Sequence, residues 1–302
     1  MQNRFYSNGK LLLTGEYVVL DGAKALAFPT KFGQDLVVQP IDKPEIIWNS
    51  FDVDSRSWFS DVFPFTEIRT NNASANQIRE TLLNILHQVY LLNPDFLNRQ
   101  SGFSVSTHLT FPRLWGLGTS STLINNIATW TEVDAFTLLA KTFGGSGYDI
   151  AAAKCNHLIV YQVSADNQLY EEAMFNQKLT SSMYFVYLNR KQNSRASISS
   201  YRNQASEVSS AVSEISDITI QIQTATTVRD LQLLLNNHEQ ILSALLKVDT
   251  IKTQLFSDFE GTIKSLGGWG GDFILAISDD DPSDYFRSRG YDTILKFSEI
   301  IL

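Results

Sequence analysis

A short glycine-rich segment in the middle of the chain carries residue types suited to binding phosphate. Gly116-Leu117-Gly118-Thr119-Ser120-Ser121 follows an alternating stretch typical of a strand and precedes a periodicity typical of a helix. Glycines let a backbone approach a ligand closely, and the free N–H groups and dipole of a helix start attract phosphate. The three consecutive hydroxyls could bind phosphate oxygens or Mg²⁺. A tight turn capped by Thr119 or Ser120 is the alternative interpretation.

Two common phosphate-binding signatures do not describe this segment. The sequence contains no G-x-x-x-x-G-K-[ST], so the segment is not a P-loop. The third glycine of the dinucleotide fingerprint is also missing.

A second segment offers a candidate catalytic base. Ser146-Gly147-Tyr148-Asp149 precedes the alanine-rich stretch Ile150 to Ala153. A tight turn here would place Asp149 opposite a phosphate loop. The alternative is an ordinary acidic residue in a first helical turn, which the helix dipole stabilises by about 0.5 kcal/mol.

A third segment, Gly267-Gly268-Trp269-Gly270-Gly271, places four glycines around a tryptophan. Ordering each glycine costs roughly 1 kcal/mol relative to alanine. Close approach to a ligand or to another backbone explains this composition better than turn formation alone, although a flexible hairpin remains open.

One further segment has the chemistry to contact an anion. Lys191 to Arg195 contains two cations and the hydroxyl of Ser194, which suit a phosphate or a carboxylate. A solvated loop is the alternative. The four histidines are scattered without metal-ligand spacing, so no structural zinc site is expected.

The strands and helices predicted around these segments indicate an α+β protein. The first 70 residues read as β-rich, with short runs at Arg4–Leu13, Tyr17–Leu20 and Phe65–Ile68. Phe103 to Phe111 alternates as a strand, a helix is expected from an N-cap at Ser74, and Ser206 to Val248 predicts two helices. The polar region from Ala165 to Thr180 suggests a joint between domains 1–170 and 171–302.

Composition narrows the possible partners. The 302 residues carry 24 basic and 32 acidic side chains, a net charge of −8, and no Lys/Arg cluster. This argues against nucleic-acid and anionic-membrane partners. No apolar run reaches the roughly 20 residues of a membrane span, and the N-terminus does not read as a secretory signal. Cys155 is the one cysteine, so no internal disulfide can form, which fits a reducing cytoplasmic compartment.

Taken together, four segments in this order resemble the GHMP kinases, the small-molecule kinases of the galactokinase, homoserine kinase, mevalonate kinase and phosphomevalonate kinase group. Asn8 to Tyr17 is similar to their N-terminal G-K-x-x-L-x-G-E segment, and Gly116 to Ser121 to their G-L-G-S-S phosphate loop. Ser146 to Asp149 resembles the S-G-x-D segment of the mevalonate and phosphomevalonate kinases, and Gly267 to Gly271 their C-terminal glycine motif. Gly147 to Ala151 also matches the GYDIA string that labels one subgroup.

The resemblance implies a fold and a reaction. The fold has an N-terminal mixed-sheet nucleotide-binding domain, a C-terminal ferredoxin-like domain, and an active site in the cleft between them. The reaction is ATP- and Mg²⁺-dependent phosphoryl transfer to a small molecule, carried out by a monomer or a homodimer.

The resemblance also implies roles for individual residues. Asp149 would accept the proton of the substrate hydroxyl, and Lys10 would stabilise the developing negative charge. ATP phosphates would bind Gly116, Leu117, Gly118, Thr119, Ser120 and Ser121, with Ser120 as the Mg²⁺ ligand. The substrate end would be formed by Glu16, Tyr17, Ser146, Gly147, Arg195, Gly268 and Gly270.

Several positions depart from the family pattern. A magnesium-binding glutamate is expected eleven residues before Asp149, where this chain has Leu138; Glu132 and Asp134 are out of register. Tyr17 stands where mevalonate kinases have a substrate-contacting histidine. Thr119 replaces a serine, and Trp269 and Asp272 are unlike the usual C-terminal motif.

Three functional hypotheses are consistent with the sequence. The first is a kinase acting on a hydroxyl or phosphate of a small, mevalonate-like acid. The second is a catalytically weak nucleotide-binding sensor, suggested by the missing glutamate. The third is a relative of diphosphomevalonate decarboxylase. The presence of Lys10, the hydroxyl loop and Asp149 favours the first.

Overall fold

The structure of the protein is a computed structural model that describes residues 2–71, 77–98, 101–164, 168–190, 198, 201–202, 208–269 and 271–302. The chain forms two compact units, each made of several stretches. The first unit comprises Met1–Gly9, Phe32–Arg113 and Gly118–Lys154; the second comprises Lys10–Lys31, Leu114–Leu117 and Cys155–Leu302. Both units are discontinuous in sequence, and a division into domains 1–170 and 171–302 stays a prediction.

Strands and helices occur in both units. The strands are β1 (Asn3–Thr14), β2 (Ala25–Ile41), β3 (Glu45–Phe51), β4 (Ser57–Pro64), β5 (Gly102–Leu109), β6 (Ile159–Val163), β7 (Gln168–Glu172), β8 (Met183–Tyr187), β9 (Thr262–Leu266), β10 (Phe273–Ile277) and β11 (Ile294–Lys296). The helices are α1 (Phe65–Thr70), α2 (Gln77–Leu92), α3 (Thr119–Thr131), α4 (Ala135–Thr142), α5 (Tyr148–Lys154), α6 (Ser209–Thr224), α7 (Val228–Leu246), α8 (Ile251–Leu255), α9 (Ser283–Arg287) and α10 (Phe297–Ile300).

The first unit combines a mixed sheet with helices α1 to α5. Its strands lie in the order β4-β3-β5-β2; β3 and β5 run parallel, and the other neighbours run antiparallel. Strand β5 alternates buried and half-buried residues, which confirms the period of two predicted from its sequence. Helices α2, α3 and α4 pack on one another, and α5 packs on α3. The core includes Trp48, Phe63, Leu86, Ile124 and Leu138.

The second unit contains an antiparallel sheet in the order β11-β8-β10-β9. Residues Ala25–Ala27 of β2 pair with β6, and β6 pairs with β7. Helices α6 and α7 pack together, and α7 packs on β9. One core cluster of this unit includes Tyr184, Phe256, Ile263, Ile274 and Phe286. The predicted α+β class, with a mixed sheet and a second antiparallel sheet, is confirmed.

Helix α7 shows how local sequence sets an element. Thr227 caps its first turn and forms a reciprocal capping box with Asp230. Buried leucines recur at helical spacing and include Leu231, Leu235 and Leu242. Lys247 ends the helix in a left-handed conformation. The two helices predicted between 206 and 248 are confirmed, whereas the N-cap predicted at Ser74 lies outside the described residues.

Two predicted strands are wrong. Val18–Asp21 is a 3-10 helix, and Phe65–Thr70 is the α-helix α1. In α1, Phe65 and Ile68 are both buried, because a spacing of three brings them to one helix face. Segments of four residues are too short for periodicity to distinguish a strand from a helix, so tertiary packing decided both.

Within the part of the chain that the structure describes, no helix combines the length and the apolar character that crossing a membrane requires.

Candidate active site

The start of α3 presents backbone donors at the end of the glycine loop. Gly118 is the N-cap, with φ of 94°, and no side chain of the described residues caps the helix. The first N–H groups of an α-helix have no carbonyl partner within the helix, so Thr119, Ser120 and Ser121 contribute N–H groups to this end. The arrangement suits an anion.

The three hydroxyls of the loop have different surroundings. Ser120 is exposed at the helix start. Ser121 is buried, and its hydroxyl donates to the carbonyl of Gly118 at 2.9 Å. Thr119 is half-buried. The Ser121 hydroxyl therefore stabilises the turn, and Ser120 has the hydroxyl most open to a phosphate or a cation.

A buried polar network anchors α3 in the first unit. The Asn126 amide donates to the Gln34 carbonyl at 2.8 Å and accepts from the Ser7 hydroxyl at 2.8 Å. Asn125 donates to the same Ser7 hydroxyl at 2.8 Å, and Thr122 donates to the Gln34 side chain at 2.8 Å. These bonds tie the helix to β1 and β2, so they fix where its N-terminus points. No local pattern predicted this network, although its polar residues interrupt the apolar face of α3.

Asp149 lies in the first turn of α5, in the same unit as α3. Gly147 precedes it with φ of 89°, and the Gly147 carbonyl accepts from the N–H groups of Ile150 at 3.0 Å and Ala151 at 3.1 Å. Asp149 is half-buried, and its Oδ1 accepts from the N–H of Ile150 at 3.1 Å. The N–H of Tyr148 donates to Ser146 Oγ, with 3.5 Å between the nitrogen and the oxygen. The predicted tight turn is present, and the role of Asp149 as a base stays a prediction.

The first part of the glycine loop belongs to the second unit. The N–H of Lys10 donates to the Leu117 carbonyl at 2.9 Å, which joins β1 to this loop. Gly116 adopts φ of 70°, and a Cβ at this position would overlap the carboxylate of Asp272. Glycine is therefore required at 116 both by its backbone conformation and by its neighbour.

The segment Gly15-Glu16-Tyr17 forms a strained turn at the end of β1. Tyr17 has φ of 65° and ψ of −55°, and the N–H of Val18 donates to the Glu16 carbonyl at 2.8 Å. These values describe the γ-turn with positive φ, which is rare for a residue with a side chain. The turn directs the Tyr17 hydroxyl to accept from the N–H of Trp269 at 2.6 Å. Tyr17 thus connects the N-terminal segment to the C-terminal glycine segment within one unit.

Glu16 lies in a buried ionic cluster that the sequence analysis did not predict. Lys264 donates to Glu16 Oε1 at 2.5 Å and lies 3.1 Å from Glu239 Oε1. Glu16 Oε2 is 3.3 Å from His238 Nε2, which itself accepts from the N–H of Gly15 at 3.1 Å. All four side chains are at most 3% exposed. Glu16 therefore lies in the interior beside the turn, and its role at the substrate end stays a prediction.

Burial controls the protonation of this cluster. Burial raises the pKa of Glu16 to about 7, against the opposing effect of Lys264, and it also raises the pKa of Glu239. Burial lowers the pKa of His238 well below its usual value. Burial alone would lower the pKa of Lys264, but the two carboxylates raise it. One lysine cannot neutralise two carboxylates, and His238 Nε2 faces Glu16 as an acceptor, so the geometry favours a proton on Glu16.

The C-terminal glycine segment is partly described. Gly267 has φ of 76°, and a Cβ on Gly271 would overlap the carbonyls of Gly268 and Leu266. Gly268 is half-buried beside Trp269, whose indole donates to the Asp249 carbonyl at 3.2 Å. The predicted site residues Gly270 and Arg195 lie outside the described residues.

Carboxylates are sparse around the predicted metal position. Leu138 is fully buried in the core of the first unit, so a charged side chain would not fit there without rearrangement. The described ranges contain no group of three or more His, Cys, Asp or Glu residues that could hold a metal ion. Mg²⁺ at nucleotide sites needs only one or two carboxylates besides the phosphates, so the exposed Ser120 hydroxyl fits a cation held mainly by nucleotide.

These features belong to a chain with the GHMP kinase fold. No protein-family model and no curated protein matches the sequence. Solved structures match its fold: mevalonate kinase from Methanococcus jannaschii is 14% identical, with a TM-score of 0.72, and the match covers 98% of this chain and 97% of that one. The fold predicted from the four motifs is therefore confirmed.

Two further solved structures have the same fold with different substrates bound. Streptococcus pneumoniae phosphomevalonate kinase, in complex with phosphomevalonate and AMPPNP, is 13% identical with a TM-score of 0.71 and covers 97% of this chain and 99% of that one. Lactococcus lactis galactokinase, complexed with galactose, is 11% identical with a TM-score of 0.71, at 98% and 92% coverage. Proteins with this fold thus bind small molecules of different chemistry.

Proposed function

We propose that the protein is an ATP-dependent phosphotransferase that transfers the γ-phosphoryl group to a hydroxyl or a phosphate of a small acid. The observation that carries this proposal is the start of α3, which no side chain of the described residues caps and which follows two glycines with positive φ, in a chain with the GHMP kinase fold. A helix start of this kind binds the phosphates of a nucleotide through backbone N–H groups. Gly116, Leu117, Gly118, Thr119, Ser120 and Ser121 form this loop.

The proposed reaction on an alcohol uses one base and one cation. Asp149 accepts the proton of the substrate hydroxyl, whose oxygen bonds to the γ-phosphorus while the bond to the β-phosphate oxygen breaks and ADP leaves. Lys10 stabilises the negative charge that develops on the oxygens. When bound, Mg²⁺ would neutralise phosphate charge, and Ser120 is the proposed protein ligand.

The acceptor is proposed to be a mevalonate-like or phosphomevalonate-like acid. Tyr17, Ser146, Gly147 and Gly268 are proposed to shape its site, with Glu16 acting through the turn that it supports. Arg195 and Gly270 are proposed to contribute from outside the described residues. Phosphoryl transfer depends on positioning and charge neutralisation, which suits a site built from turns rather than from a covalent nucleophile.

The proposal also concerns assembly and location. The protein is proposed to act on a small molecule as a monomer or a homodimer. It is proposed to have no nucleic-acid or membrane partner, in agreement with its net charge of −8. A cytoplasmic location is proposed because the single cysteine makes no demand on an oxidising compartment.

The decisive experiment measures ADP release with purified protein over a panel of mevalonate, phosphomevalonate, homoserine and several sugars. We expect turnover with at least one acid. Asp149→Asn should then reduce kcat by at least about 10²-fold, the lower range for loss of a general base, while ATP affinity stays within about threefold. Asp280→Asn, an exposed change in a turn after β10, is the matched control and should leave kcat unchanged.

The other outcomes identify the alternatives. Micromolar ATP binding without turnover on any acceptor would indicate a sensor, which the buried Leu138 would explain. Release of labelled carbon dioxide from diphosphomevalonate would indicate a decarboxylase. Full turnover by Asp149→Asn would remove Asp149 as the base.

A further inference from the structure

The turn at the end of β1 is held from the interior of the second unit by His238 of α7. Nε2 of His238 accepts from the N–H of Gly15 at 3.1 Å and lies 3.3 Å from Oε2 of Glu16. Both side chains are at most 3% exposed. An imidazole nitrogen that accepts a hydrogen bond carries no hydrogen, so Nε2 presents a lone pair to the carboxyl group of Glu16.

The second carboxyl oxygen of Glu16 therefore needs a hydrogen. If Oε2 were ionised, it would face the lone pair of His238 Nε2, and two acceptors at this distance repel each other. A proton on Nε2 instead would leave the N–H of Gly15 without its acceptor. Among the described residues, Glu16 Oε2 has no hydrogen-bond donor. A proton on Oε2, donated to Nε2, thus satisfies the geometry of the carboxyl group and the imidazole together.

The charges around this pair balance when that proton is present. Lys264 of β9 donates to Glu16 Oε1 at 2.5 Å and lies 3.1 Å from Oε1 of Glu239, which is on α7. Within the described part of the chain, these two are the charged groups that face Glu16 and His238. With Glu16 protonated, one ammonium pairs with one carboxylate, whereas ionised Glu16 leaves an unbalanced negative charge in the interior. Burial accordingly raises the pKa of Glu16 to about 7.

Loss of this proton acts on Tyr17, because Gly15 and Glu16 are the two residues that precede it. Tyr17 adopts φ of 65° and ψ of −55°, an unfavourable conformation that its surroundings must maintain. Its hydroxyl accepts from the N–H of Trp269 at 2.6 Å. Repulsion between ionised Glu16 and His238 displaces the turn at this point, so the contact from Tyr17 to Trp269 weakens.

A second aromatic ring packs on Tyr17. The ring of Tyr201 lies 5.5 Å from it between centroids, and the Tyr201 hydroxyl donates to Asp21, which pairs with Arg202 at 2.7 Å. Burial raises the pKa of Tyr201 above its ordinary value. Its phenol therefore stays uncharged near neutral pH, and the packing of the two rings does not change through its ionisation.

We propose that Glu16 is a positioning residue for Tyr17, and that a proton which it donates to His238 keeps the Tyr17 hydroxyl on Trp269. When this proton is lost as pH rises, the turn relaxes and the contact opens. The proposal rests on the proposed function, in which Tyr17 shapes the substrate end. It implies that binding of the acceptor weakens as the proton is lost, whereas binding of ATP does not change.

The test follows the backbone amide of Trp269 by nuclear magnetic resonance in protein labelled with ¹⁵N-tryptophan. The five tryptophans give five backbone signals, and Trp269→Phe identifies the one from residue 269. In the wild type this signal should move upfield in one transition near pH about 7, because its hydrogen bond lengthens. Glu16→Gln, in which a permanent N–H replaces the O–H, should lose the transition.

Two further variants separate the buried cluster from other causes. Glu239→Gln removes a like charge from beside Glu16, so the transition should move to lower pH. Asp249→Asn is the matched control, because this acid is exposed and its carbonyl accepts from the Trp269 indole. It should leave the transition unchanged.

Kinetics test the effect on the substrate end. With the acceptor identified by the ADP-release panel, the KM for that acceptor should rise severalfold across the transition in the wild type. It should not rise in Glu16→Gln, and the KM for ATP should stay constant in both proteins.

The outcomes separate this proposal from the proposed function. If the wild type shows no transition, or if the transition persists in Glu16→Gln or stays in place in Glu239→Gln, the proposal is wrong, because Glu16 does not control the contact. An acceptor KM that is constant through the transition also overturns it, with the proposed function intact. If no acceptor supports turnover, the proposed function fails, and the amide signal still decides whether the proton controls the turn.

Discussion

Single residues at the candidate site hold unfavourable backbone conformations. Tyr17 forms a γ-turn at φ of 65°, and Gly116 adopts φ of 70° against Asp272. Such conformations cost of order 1–3 kcal/mol for a residue with a side chain, so the surrounding structure must maintain them. At Tyr17 the hydrogen bond to Trp269 does so, and at Gly116 the absence of a side chain removes the cost.

Gly116 and Gly144 form a matched pair for testing this point. Their φ values are 70° and 68°, but a Cβ on Gly144 would have no atom of the described residues within 4 Å, whereas one on Gly116 meets Asp272. We expect Gly144→Ala to lower the free energy of unfolding by about 1 kcal/mol, from backbone strain alone. Gly116→Ala should lower it by about 1–3 kcal/mol more, because the carboxylate must move.

Urea unfolding measures both changes. In an Asp272→Ala background the overlap with the carboxylate is gone and only the Cβ of residue 272, 2.8 Å from the added methyl group, stays close, so Gly116→Ala should then cost less than it does in the wild-type background. Equal costs for the two glycine variants in the wild-type background would contradict the close contact between Gly116 and Asp272.

Glu16 shows the limit of sequence analysis at this scale. Its place in a family-like motif predicts a role at the substrate end, but its carboxylate pairs with Lys264, a residue 248 positions away. No local pattern reveals such a partner, because Lys264 lies in a strand whose other residues are also buried. A lysine inside a wholly buried strand is the one signal that could have indicated an internal ion pair.

At the scale of elements, α3 is the helix on which the candidate site depends. The glycine loop and the helix that follows it were predictable, because glycines, hydroxyls and apolar periodicity are local signals. The orientation of the helix was not, since it is set by bonds from Asn126 to Ser7 and Gln34, which are distant in sequence. The same reasoning explains why Phe65–Ile68 was expected as a strand but lies in helix α1.

Asn126 is expected to contribute strongly to stability. It is 1% exposed, and its replacement by alanine leaves the Ser7 hydroxyl and the Gln34 carbonyl each short of a partner. We expect Asn126→Ala to lower the free energy of unfolding by about 2–4 kcal/mol. Thr129→Ala, on the exposed side of the same helix, should change it by less than about 0.5 kcal/mol. Chemical denaturation followed by circular dichroism compares the two, and similar costs would show that the network contributes little.

At the scale of the whole molecule, the buried cluster links stability to pH. The pKa of Glu16 in the folded protein is about 7, above its ordinary value of 4.5. The folded state therefore binds this proton more tightly than the unfolded state does. The resulting contribution to the free energy of unfolding is fully present below pH 4.5 and is lost as pH rises through about 7. Neutral His238 has the opposite dependence on pH, because its pKa is lowered in the folded protein. Its contribution to the free energy of unfolding is lost as pH falls below 6.5, the ordinary pKa of histidine.

Glu16→Gln separates these contributions, because glutamine resembles the protonated carboxyl and leaves His238 unchanged. Relative to wild type, the variant should gain up to about 3 kcal/mol of unfolding free energy as pH is raised from 4.5 to 8. Urea unfolding at a series of pH values measures this difference. A difference that is constant with pH, or that shrinks as pH rises, would show that Glu16 is ionised throughout.

Residue types and local periodicity were enough to predict the three glycine segments, Asp149 as a candidate base and the α+β pattern, whereas Lys10 was predicted through the family resemblance. It also supported the fold, because four motifs in order are specific where one is not. The contact between Asp272 and Gly116, the burial of Glu16 and the anchoring of α3 were visible only once the chain was folded. These depend on contacts between residues far apart in the chain, whose free energy comes from burial and pairing that no local spacing encodes.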